Sequence, residues 1–253
     1  MGKIWPLFVI LFFISCREKA EKTTTIIEQN RFIQADLSLK SNQLIEAVRD
    51  NKIEKSKAAH ELDEILISIK QEWQNKNQKN YIFTDWVFPI SGYGPSAIGG
   101  VGGSGYIGRY DFFDGNNHTG HTALDIFVAD RNQDCLDDNT KRKIPILSTS
   151  GGVVLATANN WDTASPLRGG KYIWIYDPAN NFMIYYAHND EILVNPGQLI
   201  KPGEQIATCG RSGLNAFKKR SPTHLHFMLL KLDENNYPKP VNPYEYLQKV
   251  KLL

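Results

Sequence analysis

The chain has 253 residues, of which 42% are hydrophobic and 22% charged. That is ordinary globular composition, which excludes wholesale disorder and a multi-span membrane protein. The net charge of +2 offers no positive field for a nucleic-acid backbone.

In chain order, Met1–Ser15 reads MGKIWPLFVILFFIS, with Lys3 before an apolar run from Ile4 to Ile14. A transmembrane helix needs about 20 residues, so the run fits the core of an export signal instead. Phe13-Ile14-Ser15-Cys16 resembles a bacterial lipobox, in which Cys16 becomes the lipidated first residue. The expected location is the cell envelope, on a membrane-anchored lipoprotein facing the periplasm or the outside.

Residues 17–80 hold 12 basic and 11 acidic side chains and no glycine or proline, an even mixture without breakers that favours helix. Leu62, Ile65, Leu66, Ile69 and Trp73 recur at helical spacing, and Leu37, Leu44 and Val48 do so more weakly. The expectation is a helical spacer, arranged as one helix or a hairpin. Its stripe needs a partner: the weaker stripe, the domain that follows, or another chain. His60 lies on this helix and lacks a second histidine four residues on, so it reads as a surface residue.

Composition changes at Tyr81. Glycine and proline then punctuate short β-branched and aromatic runs at Val153–Ala156, Tyr172–Tyr176, Phe182–Ala187, Gln205–Cys209 and Leu225–Leu232. Such runs predict a mainly β domain with an antiparallel sheet over residues 81–253. Gly92–Gly120 holds ten of the nineteen glycines. Its dinucleotide-like Gly100–Gly105 stretch lacks a strand–helix–strand context and reads as a loop.

The histidines carry the chemistry. His121 and Asp125 are four apart beside the strand-like Ile126–Val128. Side chains alternate along a strand, so the two converge on one face. His224 and His226 likewise share a face if their segment is extended, while Leu225, Phe227 and Leu229 turn to a core. His121, Asp125 and one histidine of the 224/226 pair supply three ligands of a kind that zinc accepts, with a fourth position open. The other histidine, and His188 at the end of Tyr185-Tyr186-Ala187, remain for proton transfer.

His121-x-x-x-Asp125, Tyr186-Ala187-His188 and His224-Leu225-His226 together resemble, in order and spacing, the motifs of lysostaphin/LytM-type zinc metallopeptidases, peptidase family M23. The filler is similar too: Pro145–Ser148, Gly151–Val154, Asn195–Ala207 and Gly210–Gly213. The resemblance covers about residues 86–246. It implies an antiparallel β-sheet groove, Zn2+ held by His121, Asp125 and His226, and His188 and His224 as catalytic histidines. It implies a peptidoglycan peptide as substrate, and leaves room for a regulatory protein partner. The alternative is a catalytically silent groove that binds peptidoglycan or activates a partner amidase. Met228 stands where the family often has glutamate, and Ala123 where it often has glycine.

Three further features invite other readings. Asp130–Lys143 looks like an insertion, and its four aspartates lack the glycine and terminal glutamate of a calcium loop. Lys218-Lys219-Arg220 reads as a solvated turn and His118 as a groove-lining residue. Cys135 and Cys209 are an even pair available for a disulfide, and neither has the setting of a thiol nucleophile.

Overall fold

The computed structural model describes residues 32–117 and 120–253. The export signal, Cys16, the start of the spacer and His118 lie outside the described residues. Two helices, α1 (Ala35–Arg49) and α2 (Lys55–Asn75), precede ten strands. The strands are β1 (Leu124–Phe127), β2 (Pro145–Leu147), β3 (Gly152–Ala158), β4 (Tyr172–Asp177), β5 (Phe182–Ala187), β6 (Asn189–Ile192), β7 (Leu199–Ile200), β8 (Gln205–Cys209), β9 (His224–Leu232) and β10 (Pro238–Val241). A short helix, α3 (Tyr244–Leu247), follows. Among the described residues no helix is long and apolar enough to cross a membrane.

The larger sheet runs β1-β9-β5-β4-β3-β7, with β10 beside β1 on the same edge of β9, and the smaller runs β2-β8-β6. Every strand pair is antiparallel, as the short punctuated runs predict. Alternation sorts the larger sheet's side chains onto two faces. Ile173 and Ile175 of β4, Phe182 and Ile184 of β5, and Leu225, Phe227 and Leu229 of β9 form one core with Ile146, Ile206 and Ala207 of the smaller sheet. Trp174, Tyr176, Met183, Met228 and Leu230 point the other way, into a second core shared with the helices. Both faces of β4 and β5 are therefore covered, which is why these strands read as nearly unbroken apolar runs.

The helices form a hairpin. Glycine is absent here, so asparagine takes the left-handed positions after each helix, Asn51 (φ +54°) and Asn77 (φ +47°). At the start of α2 the Glu54 carboxylate accepts the Ser56 and Lys57 amides, each at 3.3 Å. Leu62, Ile65, Leu66, Ile69 and Trp73 of α2 bury in the same cluster as Leu44, Ile45 and Val48 of α1 and Val153, Leu155 and Trp174 of the sheet. Polar contacts pin the hairpin in place. The Ser41 hydroxyl donates to the Leu155 carbonyl at 2.6 Å, where the β3–β4 register shifts. The Thr157 amide donates to Asn42 Oδ1 at 3.0 Å, and Lys70 Nζ to Asn181 Oδ1 at 3.0 Å.

The stripe of α2 thus buries in one core with α1 and the sheet. The boundary expected at residue 80 marks a change of composition; the packing runs across it. Because Leu66 is fully buried in this shared core, Leu66→Ala should cost about 2–4 kcal/mol. Denaturant melts should show helix signal and tryptophan fluorescence falling together in one transition. Separate melting of the helix signal would mark the hairpin as an independent spacer.

Candidate metal and catalytic site

Strand pairing assembles the site. In the β1–β9 ladder Asp125 lies opposite His226, and Phe127 opposite His224. In the β5–β9 ladder Ala187 lies opposite His226, so the next residue, His188, emerges at the same end of the sheet. Directly opposed residues on one face have Cβ atoms about 4.5–5.5 Å apart, close enough to share an ion. His121 precedes β1 and is held by a single bridge to Ile107.

The structure brings all five residues together. Ligand atoms of His121, Asp125 and His226 lie within 4.8 Å of one another. His121 Nε2 is 3.3 Å and His226 Nδ1 3.0 Å from Asp125 Oδ1. His224 Nε2 lies 3.7 Å from the same oxygen. The His188 ring centre is 4.9 Å from that of His224 and 5.5 Å from that of His226. Two imidazole nitrogens and one carboxylate oxygen with a common focus are donors of the kind that zinc accepts.

Backbone carbonyls fix the rings. His121 Nδ1 donates to Gly105 O at 2.8 Å, which leaves Nε2 to face Asp125. His188 Nδ1 donates to Ser212 O at 2.7 Å, and His224 Nδ1 to Pro222 O at 2.7 Å. Each of these two rings therefore uses Nδ1 as the donor to the backbone, which leaves Nε2 available to the site. The turn that carries Pro222 is itself held. Arg211 donates to the carbonyls of Ser221 (2.7 Å) and Lys218 (3.0 Å) and to Thr223 Oγ1 (3.2 Å). Thr223 in turn donates to the buried Asp130 at 2.6 Å.

His188 sits at φ +67°, an uncommon conformation for a residue with a side chain. Gly213 makes room for it, since a Cβ there would lie 2.8 Å from His188 Nδ1 and 2.4 Å from the Arg168 carbonyl.

The charge pattern suits a cation. Burial opposes ionisation of Asp125, but hydrogen bonds from His121 and His226 outweigh it and hold the carboxyl well below the usual carboxylate range. Its hydrogen bond to Asp125 raises His121, whereas burial lowers His226. Burial, reinforced by His224 and His226, lowers His188 far below the ordinary histidine value. His188 is therefore neutral at pH 7, with a free lone pair.

The remaining features fall away from this cluster. His60 is exposed on α2 and pairs with Glu64. In the insertion, Asp130 accepts the Asp134 and Cys135 amides, and Asp137 accepts the Tyr93 hydroxyl and the Asn139 and Thr140 amides. These carboxylates cap backbone turns, and they form no metal cluster among the described residues. Cys135 and Cys209 are free thiols, so the disulfide available to them is not formed. Burial pushes the Cys135 thiol up to about 11, and Cys209 further. Met228, in place of a glutamate, accepts the Thr122 hydroxyl at 3.3 Å.

A cavity of about 280 Å³ adjoins the histidines. Its lining includes Ile45, Val48 and Arg49 of α1, which no sequence pattern places near the site. Tyr172, Trp174 and Tyr185 complete its apolar wall.

Residues 131–243 match the model of peptidase family M23, a span that begins after Asp125 and includes His188, His224 and His226. The uncharacterized lipoprotein YgeR of Escherichia coli is 30% identical over 111 residues, covering 44% of this chain and 39% of that protein. The murein hydrolase activator NlpD of Escherichia coli is 36% identical over 107 residues, covering 41% of this chain and 25% of that protein. This chain therefore spans well under half the length of these curated relatives. A zinc-containing peptidase of Vibrio cholerae is similar in structure, at 22% identity, 66% coverage of this chain, 40% of that one, and a TM-score of 0.40. Over residues 131–243 the chain is similar to peptidase family M23.

Proposed function

We propose that this protein is a zinc-dependent endopeptidase that hydrolyses peptide bonds of peptidoglycan, in its cross-links or stem peptides. The observation that carries this reading is the convergence of the His121, Asp125 and His226 ligand atoms, with His188 and His224 beside them. His121, Asp125 and His226 would hold the ion. When bound, zinc polarises a scissile carbonyl and acidifies a water. The chain's own part is proton handling. The Nε2 atoms of His188 and His224 take a proton from the attacking water and return one to the leaving amine. The Ser212 and Pro222 carbonyls keep those lone pairs aimed. Lipid on Cys16 would hold the protein in the cell envelope, where this substrate lies; the relatives named as lipoproteins support that placement.

The likeness to a murein hydrolase activator favours one second reading. In it the same groove binds peptidoglycan without cutting and activates a partner amidase. Intact peptidoglycan incubated with the purified chain separates the two. Under the first reading, mass analysis finds released peptides that a chelator abolishes. Under the second, no peptide appears and a partner amidase is stimulated.

Asp125→Ala should lose most of its zinc by metal analysis, and all hydrolysis with it. His188→Ala and His224→Ala should each keep zinc and lose about 10²–10⁴ in rate; metal loss in either would mark that residue as a ligand.

Both thiols stay protonated at neutral pH, so a thiol-alkylating reagent should leave hydrolysis intact and label Cys135 and Cys209 fully only after unfolding. Inactivation by rapid labelling of the native protein would instead point to thiol chemistry.

A further inference from the structure

The metal-facing side of the larger sheet continues under α1, and the end of that helix forms a wall of the cavity. Arg49, the last residue of α1, lines the cavity together with His121, His188, His224 and His226. Proton handling and metal binding make no use of it. We propose that Arg49 is a specificity-determining residue that binds a free carboxylate of the peptide substrate. The peptide nature of that substrate rests on the function proposed above.

The guanidinium is fixed and still has donors to give. Arg49 Nε and Nη2 donate to the two oxygens of Asp50 at 2.7 and 3.0 Å, and Nη1 donates to the Tyr172 hydroxyl at 3.0 Å. A guanidinium has five N–H donors, so two remain on its terminal nitrogens. Planar recognition of a carboxylate uses such a pair.

Asp50 is not paired with Arg49 alone. Lys52 Nζ lies 3.4 Å from the same carboxylate, so two cations share one anion. Asp50 does not line the cavity, whereas Arg49 does. Among the described lining residues the one carboxylate is Asp125, which belongs to the metal cluster.

The setting strengthens such a contact. The Arg49 side chain is 20% exposed, and Tyr172, Trp174 and Tyr185 wall the cavity beside it. Charge-assisted hydrogen bonds gain strength where water is excluded. The wall is also rigid. Segment 112–117 lies against the end of α1 so closely that a Cβ on Gly115 (φ +53°) would come within 2.2 Å of the Val48 carbonyl. A donor held in place before binding loses little freedom when the ligand arrives.

The experiment measures peptide binding to the zinc-loaded full chain by calorimetry, with recovered peptide checked by mass. Two peptide pairs serve as probes. One pair differs only by glutamate against glutamine within the chain, the other by a C-terminal acid against an amide. At least one acid should bind about tenfold more tightly than its neutral twin. The pair that shows the preference identifies the carboxylate as a side chain or a chain end. Arg49→Met should erase the preference, and Arg49→Lys should keep part of it, both with unchanged zinc content. If Arg49→Met fails to fold by circular dichroism, Tyr172→Phe replaces it and should reduce the preference through loss of the hydroxyl that orients the guanidinium.

Equal binding within both pairs, no binding of any peptide, or a full preference in folded Arg49→Met overturns the assignment. Binding with the preference but without hydrolysis sinks the endopeptidase reading and leaves Arg49 in place. Hydrolysis without the preference does the reverse.

Discussion

Everything in this molecule depends on β9 remaining extended with one fixed register. Its even-numbered positions place His224, His226, Met228 and Leu230 on one face, and its odd-numbered positions place Leu225, Phe227 and Leu229 on the other. The apolar face fills the core against the smaller sheet. That burial fixes where the histidines stand, because a slip by one residue would drive His226 into the core and Phe227 into the groove. β9 is paired along both edges, to β5 on one side and to β1 and β10 on the other. The pairing that places Asp125 opposite His226 is therefore secured by apolar contacts away from the site. Stability and ligand geometry come from the same alternation.

Strands alone deliver the side chains to one place; the loops set their angles. Three of the four site histidines give Nδ1 to a backbone carbonyl, of Gly105, Ser212 or Pro222. A carbonyl makes a firm restraint because its own position is fixed by the chain on both sides. Close approach of backbone to backbone is what demands glycine here. At Gly120 a Cβ would meet the Arg109 carbonyl at 2.4 Å, and at Gly213 the Arg168 carbonyl at the same distance. The glycine-rich stretch that looks like a mobile loop in sequence thus includes the carbonyl that orients His121. Arg211 and Asp130 extend the same restraint to the turn before His224, which gives one carboxylate of the insertion a structural task.

The sequence was legible where side chains report their own surroundings. Short β-branched and aromatic runs bounded by glycine and proline marked β5 and β8 at the boundaries they adopt, and the i, i+2 pair in β9 and the i, i+4 pair ending in Asp125 marked the residues that converge. The helical stripe Leu62–Trp73 lies within α2, and Leu37–Val48 within α1. Other features left no such trace. β10 holds Pro238 and Pro240, which count against a strand unless it lies at an edge, and it borders only β9. The carbonyls that hold the histidines belong to residues whose side chains say nothing about them. The hairpin's place on the sheet was equally hidden. A stripe tells that a helix has a partner and not which one.

The hairpin's position follows from the sheet's own chemistry. Trp174, Tyr176, Met183 and Leu230 are too apolar to face water, so the face of the sheet that carries the histidines must be covered along part of its length. Cover at full length would bury the site, and no cover would expose the core. α1 and α2 resolve this by covering the face as far as Arg49, where the chain turns away through Asn51. Leu44, Ile45 and Val48 then belong to the core, while Ile45, Val48 and Arg49 also border the cavity. One helix end is at once the last layer of the core and the first wall of the groove. Any change that shifts α1 along the sheet must therefore alter both, and the residues that set the hairpin's position, Ser41 on the Leu155 carbonyl and Asn42 on the Thr157 amide, also set the shape of the space offered to a ligand.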